Sequence, residues 1–259
     1  MATEIFFRKS GTGNPVILLH GFPMSSEVWN EFASVLAKSF TVYTPDLPGF
    51  GKSRLVNGDI SLARVAEEVN KWVESLGIGS AVVIGHSMGG YVALEMVKSS
   101  PSLFAGLGLF HSTAREDSEE KKDSRTKVLR FIEEKGVLAF TSNFIQPLFA
   151  NQNHPAIPFV KDITTKASKE AVTAYTRAMR DRKDNEHVLS EFAGDVLLIG
   201  GDSDKAVPAD ALKFQAGLNP RASLLILPET GHMGMFEKFE ETVQAVESFL
   251  RKIYQPDKA

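Results

Sequence analysis

Ala81-Val82-Val83-Ile84-Gly85-His86-Ser87-Met88-Gly89-Gly90-Tyr91-Val92-Ala93-Leu94-Glu95-Met96-Val97 decides how this chain is built. The first four residues are a continuous apolar run, the mark of a strand buried on both faces. The last seven read as a largely buried helix. Between them Gly85-x-Ser87-x-Gly89 compresses a strand end, a reversal and a helix start, the context that lifts a serine hydroxyl above a sheet edge. A side chain at 85 or 89 would collide with the neighbouring strand or helix where the chain turns so sharply. The Met88 N–H is left at a helix N-terminus, unpaired and able to bind a developing negative charge. The bare pattern arises by chance in roughly one chain in ten of this length. Its placement and the partners downstream carry the argument.

Upstream, residues 4–9 read as a strand and Val16-Ile17-Leu18-Leu19 as a buried one, ending in His20-Gly21-Phe22-Pro23. Trp29, Phe32, Ala33 and Leu36 repeat at i, i+3, i+4 and i+7, so a helix follows. Thr41-Val42-Tyr43 is a short strand that delivers the Pro- and Gly-bearing turn from Pro45 to Ser53. Ser61 can cap a helix whose stripe is Leu62, Val65, Ala66, Val69, Trp72, Val73 and Leu76, stopped by Gly77 and Gly79. Downstream, Pro101 ends the helix after Ser87, and residues 103–110 supply another strand. The alternation resumes with Val196-Leu197-Leu198-Ile199, a helix from about Pro208, Leu224-Leu225-Ile226-Leu227, and an amphipathic helix from about 237 to 253. Short apolar strands alternating with helices predict an α/β fold, a mostly parallel central sheet covered by helices on both faces.

Between about 112 and 190 the alternation is lost. Helical patterns replace it, with Val128, Leu129, Phe131 and Ile132 in one and Val172, Tyr175, Ala178 and Met179 in another. Residues 113–189 are therefore expected to form an inserted helical cap, on a core made of 1–112 and 190–259. Residues 115–127 hold ten charges, five of each sign. Asp117–Lys121 and Asp123–Lys127 have i,i+4 spacing, so the run reads as a solvated helix face.

Composition narrows the function. The 259 residues, 43% apolar and 24% charged, are those of an ordinary globular protein, with room for one large core. A net charge of −3 offers nothing to nucleic acid or an anionic membrane. Cysteine is absent, which removes disulfides, thiolate metal sites and a cysteine nucleophile. No apolar stretch approaches a membrane span, and residues 1–8 do not read as a signal peptide, so a cytoplasmic location is expected.

A serine hydroxyl needs a positioned base. Six histidines are available, at 20, 86, 111, 154, 187 and 232. His232, in Glu229-Thr230-Gly231-His232-Met233, follows the last strand. In a parallel sheet the strand C-terminal ends share one edge, so its loop can meet the Ser87 turn. The side chain of His86 should diverge from Ser87, and His20 should order its own loop. His111, His154 and His187 lie at or inside the insertion, where surface or structural roles are commoner. A base must be held in the correct tautomer, usually by a carboxylate. Gly200-Gly201-Asp202-Ser203-Asp204-Lys205 leaves the penultimate strand on the same edge and offers two, Asp202 nearer the strand and Asp204 further out. Spacing alone hardly separates them.

These residues together resemble the α/β-hydrolase superfamily over nearly the whole chain. His20-Gly21-Phe22-Pro23, Asp46-Leu47-Pro48-Gly49-Phe50-Gly51-Lys52-Ser53, Gly85-His86-Ser87-Met88-Gly89-Gly90, and Gly201-x-x-Asp204-x-x-x-Pro208 with Gly231-His232 carry the likeness. The resemblance implies Ser87 as nucleophile, His232 as base and Asp204 as acid, with the Phe22 and Met88 N–H groups as oxyanion hole and Asp46 structural. Some relatives place the acid after the strand preceding the cap. Here that position reads Leu109-Phe110-His111-Ser112, with no carboxylate, which favours Asp204.

Haloalkane dehalogenases and epoxide hydrolases of this fold use Asp where Ser87 stands, so those chemistries are not expected. The resemblance implies a capped serine hydrolase acting on a small or medium apolar carboxylic ester through an acyl-enzyme. Carbon–carbon bond hydrolases and cofactor-free perhydrolases share the triad, and a triad-bearing small-ligand receptor or signalling module is the alternative from another class. Phe131, Phe140, Phe144, Phe149 and Phe159 could line a pocket, though most should be cap core. No cluster of His and carboxylate at metal-ligand spacing is visible and the Gly-rich turn lacks a phosphate-binding Lys, so neither metal nor cofactor is expected.

Overall fold

The computed structural model describes residues 4–255. The reading that residues 1–8 carry no leader rests in part on residues 1–3, which lie outside the described residues. Among the described residues seven strands form one sheet: β1 (Phe7–Ser10), β2 (Pro15–Leu19), β3 (Thr41–Pro45), β4 (Ala81–His86), β5 (Phe104–Phe110), β6 (Asp195–Gly201) and β7 (Ala222–Leu227). Their spatial order is β1-β3-β2-β4-β5-β6-β7, with β1 antiparallel to β3 and every other pair parallel. From β2 the chain moves outward to β3, then crosses back to β4 on the other side of β2. The C-terminal ends of β2 and β4 therefore flank the crevice where an open α/β sheet reverses its order, the usual place for a ligand.

The helices in chain order are α1 (Asn30–Leu36), α2 (Leu62–Ser75), α3 (Met88–Ser99), α4 (Glu119–Lys135), α5 (Val137–Phe144), α6 (Ile157–Thr165), α7 (Lys169–Arg180), α8 (Glu186–Glu191), α9 (Ala209–Ala216), α10 (Gly234–Glu237) and α11 (Phe239–Tyr254). Successive strand residues point to opposite faces, and the core divides accordingly. Ala81 and Val83 of β4 pack with Val65 and Val69 of α2, Val92 and Met96 of α3, and Leu212 of α9. Val82 and Ile84 pack on the other face with Phe32 and Leu36 of α1 and with Val246 and Leu250 of α11. Each fully buried aliphatic side chain contributes about 1.5–3 kcal/mol, which is why unbroken apolar runs become the central strands.

The Ser61 hydroxyl caps α2 by accepting the Arg64 N–H at 3.2 Å, and the expected stripe is buried except Leu76, which sits at the C-cap and is exposed. Between β5 and β6 the chain runs through α4 to α8, with no strand among residues 113–189. Helix α8 straddles residue 189, and its Val188 and Leu189 are buried with the α3 side of the core. Tyr175 of α7 donates its hydroxyl to Pro48 O at 2.7 Å, tying α7 to the turn after β3.

The charge run departs from the expected i,i+4 pairing. Asp117 precedes the Ser118 N-cap of α4, so it is off the helix; it is buried and meets Arg182 at 2.7 Å and Arg125. Lys121 instead donates to Ala206 O at 2.8 Å, and Lys122 pairs with Glu119 and Glu116. Asp123 and Lys127 form no ion pair among the described residues. A buried carboxylate between two guanidinium groups is held below the usual carboxylate range: burial pushes the Asp117 pKa up, and Arg125 and Arg182 outweigh it.

Candidate active site

Ser87 sits at the β4–α3 turn with φ 50° and ψ −115°, a conformation that non-glycine residues rarely hold and that costs on the order of 1–3 kcal/mol. The surroundings impose it. The Ser87 N–H donates to Phe110 O at 2.9 Å, and the Ser112 hydroxyl donates to Ser87 O at 2.7 Å. A Cβ at Gly85 would lie 2.2 Å from the Gly89 carbonyl, and one at Gly89 would lie 2.6 Å from Leu19 O. Both glycines are needed because helix α3 starts directly against its own strand and against the end of β2.

Among the described residues neither the Phe22 N–H nor the Met88 N–H has a hydrogen-bond acceptor. Met88 is the first residue of α3, where the helix supplies none. The loop that carries Phe22 is held by His20, whose Nε2 accepts the Leu47 N–H and whose Nδ1 donates to Gly21 O, each at 2.9 Å. Burial lowers the His20 pKa, so the ring is neutral. Asp46 accepts the Ser26 N–H on Oδ1 (2.7 Å) and the Lys52 N–H on Oδ2 (2.9 Å), so both of its oxygens hold backbone.

His232 and Asp204 meet. Asp204 Oδ2 accepts from His232 Nδ1 at 2.8 Å, while its Oδ1 accepts the backbone N–H groups of Ala206 (2.8 Å) and Val207 (3.0 Å). Asp202 is exposed and instead accepts from the Ser203 hydroxyl at 2.9 Å and the Thr230 N–H at 3.4 Å. Asp204 Oδ2 also accepts from His111 Nδ1 at 2.9 Å. Of the surface and structural roles expected for His111, the surface one is excluded: it directly follows β5 and is fully buried. Its neighbour on the sheet is β6, which leads to Asp204. Burial pushes the Asp204 pKa up, but His232 and the two imidazole hydrogen bonds outweigh it and hold the carboxyl far below its usual range.

His86 does diverge from Ser87. Its Nε2 donates to the His232 carbonyl at 2.9 Å, and burial, then repulsion from His232 and His111, drives its pKa well down. The His232 loop is further fixed by its N–H to Leu148 O (2.6 Å) and by Glu237, whose Oε1 accepts the Gly231 N–H at 3.0 Å and the Met233 N–H at 3.3 Å. The sequence reading missed the roles of His111 and Glu237. The signal for His111 was available: a polar ring at a strand end, beside the strand that carries both acids.

Ser87 and His232 open onto one cavity of about 240 Å³. Phe22, Phe140, Phe144, Val128, Leu148 and Met179 make its walls apolar, and Lys121 and Arg125 of α4 are the charged side chains that line it. Of the five phenylalanines named as possible pocket residues, Phe140 and Phe144 face it, packed on Phe22 at ring distances of 6.3 and 5.8 Å. Phe149 is buried, and Phe131 and Phe159 are exposed.

Tertiary structure also assembles what the sequence spacing did not reveal, a group of potential metal ligands. The ligand atoms of His111, Asp204 and His232 lie within 4.8 Å of one another. Their geometry is that of hydrogen bonds. Both Nδ1 atoms lie 2.8–2.9 Å from one carboxylate oxygen, so each carries the proton a metal would have to replace.

A model of the alpha/beta hydrolase family matches residues 16–245. A thermophilic esterase from Thermogutta terrifontis, solved with malate bound, superposes with a TM-score of 0.92 at 31% identity, over 98% of this chain and 95% of that one. The dihydrolipoyllysine-residue acetyltransferase component of the acetoin cleaving system of Pseudomonas putida is 29% identical over 93% of this chain, which spans 64% of that relative's length. A 2-hydroxy-6-oxo-6-phenylhexa-2,4-dienoate hydrolase of Burkholderia cepacia is 28% identical over 90% of this chain and 86% of its own. No helix among the described residues is long and apolar enough to cross a membrane. With a seven-stranded sheet of this order and a family match across its length, the chain belongs to the α/β-hydrolase family.

Proposed function

We propose that the protein is a serine hydrolase that cleaves small or medium apolar carboxylic esters. The observation that carries this reading is the Asp204–His232 pair opening, together with Ser87, onto one largely apolar cavity. With Nδ1–H engaged by Asp204, His232 keeps its Nε2 lone pair for the Ser87 hydroxyl proton. Ser87 Oγ attacks the ester carbonyl, and the unpaired N–H groups of Phe22 and Met88 hold the oxyanion. The imidazolium returns its proton to the leaving alcohol. A water deprotonated by His232 then releases the acid from the acyl-enzyme. In this reading residues 113–189 act as a cap, since Lys121, Val128, Phe140, Phe144 and Met179 close the cavity from that side. The likeness to the Thermogutta terrifontis esterase supports ester cleavage.

Ser87→Ala should retain the fold and lose at least about 10⁴-fold in kcat on p-nitrophenyl butyrate. A phosphonate should label Ser87 once; labelling at a different serine would sink the assignment. Failure of the wild-type protein to turn over any ester would instead support a receptor. A second reading, a carbon–carbon bond hydrolase, draws on the Burkholderia cepacia relative and on the Lys121–Arg125 side of the cavity, which offers a dienoate carboxylate its partners. A dienoate substrate turned over faster than any simple ester would select it.

A further inference from the structure

The carboxylate that faces His232 serves two histidines. His111 reaches the same oxygen from β5, Nδ1 to Asp204 Oδ2 at 2.9 Å, against 2.8 Å for His232. Its far nitrogen, Nε2, accepts the Gly234 N–H at 3.2 Å, so the ring proton is on Nδ1. A Cβ at Gly234 would stand 2.5 Å from that nitrogen; the glycine lets the His232 loop close onto the ring. The His111 backbone, at φ 50°, donates to Ile199 O of β6. One fully buried residue thus joins the end of β5 to β6 and to the segments that follow β6 and β7.

We propose that His111 is a positioning residue for the reaction: it locks the Asp204 carboxylate and the His232 loop in register and takes a share of Oδ2 that His232 would otherwise hold alone. The proposal rests on the reading of Ser87, His232 and Asp204 as the catalytic triad. Four hydrogen bonds, two on each oxygen, spread the Asp204 charge over Ala206, Val207, His111 and His232. A carboxylate with one fewer donor keeps more negative charge for the remaining imidazole and stabilises its protonated form more strongly. His111 itself is neutral, since burial lowers its pKa. The other groups that face His232 are His86 behind it, ring centroids 5.0 Å apart, Glu237 beneath its loop, and Lys121 and Arg125 across the cavity. None of these approaches Asp204 Oδ2 as His111 does.

The test has two readouts. In ¹⁵N-histidine NMR of the wild-type protein, His111 should be neutral at pH 7 and above with its proton on Nδ1, with two low-field imidazole N–H signals that persist in Ser87→Ala. In pH profiles of kcat/KM, His111→Leu should raise the acid limb by roughly half to one pH unit and lower kcat. His111→Asn keeps a side-chain N–H within reach of Oδ2, so it should bring the acid limb back to within about 0.2 unit of wild type. A His111 found protonated at pH 7, or with its proton on Nε2, overturns the proposal even if His111→Leu does not fold. So does a folded His111→Leu with an unmoved acid limb, or an Asn variant shifted as far as the Leu one. The tautomer is read without turnover, so an inactive wild type or an active Ser87→Ala would defeat the triad reading separately.

Discussion

Asp204→Asn replaces one oxygen of a fully used carboxylate by an NH₂ group that meets two imidazole N–H donors. The Ala206 and Val207 N–H groups on Oδ1 are backbone and cannot change, so the amide oxygen will turn to them. The NH₂ group then faces the Nδ1 atoms of His111 and His232. His232 can accept it only as the Nε2–H tautomer, which cannot take the Ser87 proton; the wrong tautomer costs about 10⁴ in kcat. His111 cannot follow, because its Nε2 is committed to the Gly234 N–H. One buried donor is left facing another, worth about 1–3 kcal/mol. For a chain of this size that is a fall of several degrees in Tm, at roughly 2–4 °C per kcal/mol. Steady-state kinetics on p-nitrophenyl butyrate and thermal melts followed by circular dichroism measure the two effects. Asp202→Asn, at an exposed site, should stay within about threefold of wild type in kcat, as surface changes usually do. The reasoning is refuted if Asp204→Asn keeps kcat within tenfold, or if Asp202→Asn stops turnover while folding normally.

Three further outcomes follow from the site and its burial. His20, His86 and His111 are buried with lowered pKa values, so in the native state they stay neutral while their unfolded forms bind protons below about pH 6.5. Stability should fall as pH drops through 6.5, by up to about 1.4 kcal/mol per pH unit for each histidine, and more steeply near pH 4 as the unfolded Asp204 protonates; urea midpoints that stay flat from pH 7 to 5 would contradict this. Chelators should leave esterase activity unchanged, because the imidazole protons of the His111–Asp204–His232 group are already directed at the carboxylate; loss in EDTA with recovery on adding a divalent ion would show otherwise. Phe144→Ala should open the cavity beside Phe22 and shift the kcat/KM ratio about tenfold toward an acyl chain two methylenes longer, at ~0.8 kcal/mol per methylene; an unchanged chain-length profile would remove Phe144 from the acyl site.

Much of the architecture is legible in the residues themselves. Val16 to Leu19, Ala81 to Ile84 and Val196 to Ile199 are apolar runs with no polar face, so each must lie inside a sheet covered on both sides, and each does. The Gly85–Gly89 spacing foretells the turn because no side chain fits where α3 meets β4 and β2. These signals are local: periodicity, capping and steric size act within a few residues and survive in any environment that buries them.

Which polar atoms meet is a different matter, because it depends on strand order and on distances set by packing. Asp202 and Asp204 are two residues apart on one loop, and only the path of that loop turns one to solvent and the other onto His232. Asp117 looked like a helix-face partner for Lys121, yet the helix starts two residues later and the carboxylate is drawn inward by Arg125 and Arg182. His111, which carries no carboxylate and so seemed to leave its strand end empty, becomes a second donor to Asp204 because β5 and β6 are neighbours in the sheet. The sequence by itself determined a doubly covered parallel sheet, with a serine turn and candidate acids and base on one edge. The tertiary structure decided which of those groups share a proton-sized contact, since a hydrogen bond needs about 3 Å and a direction, and residues 93 positions apart acquire both only when the chain is folded.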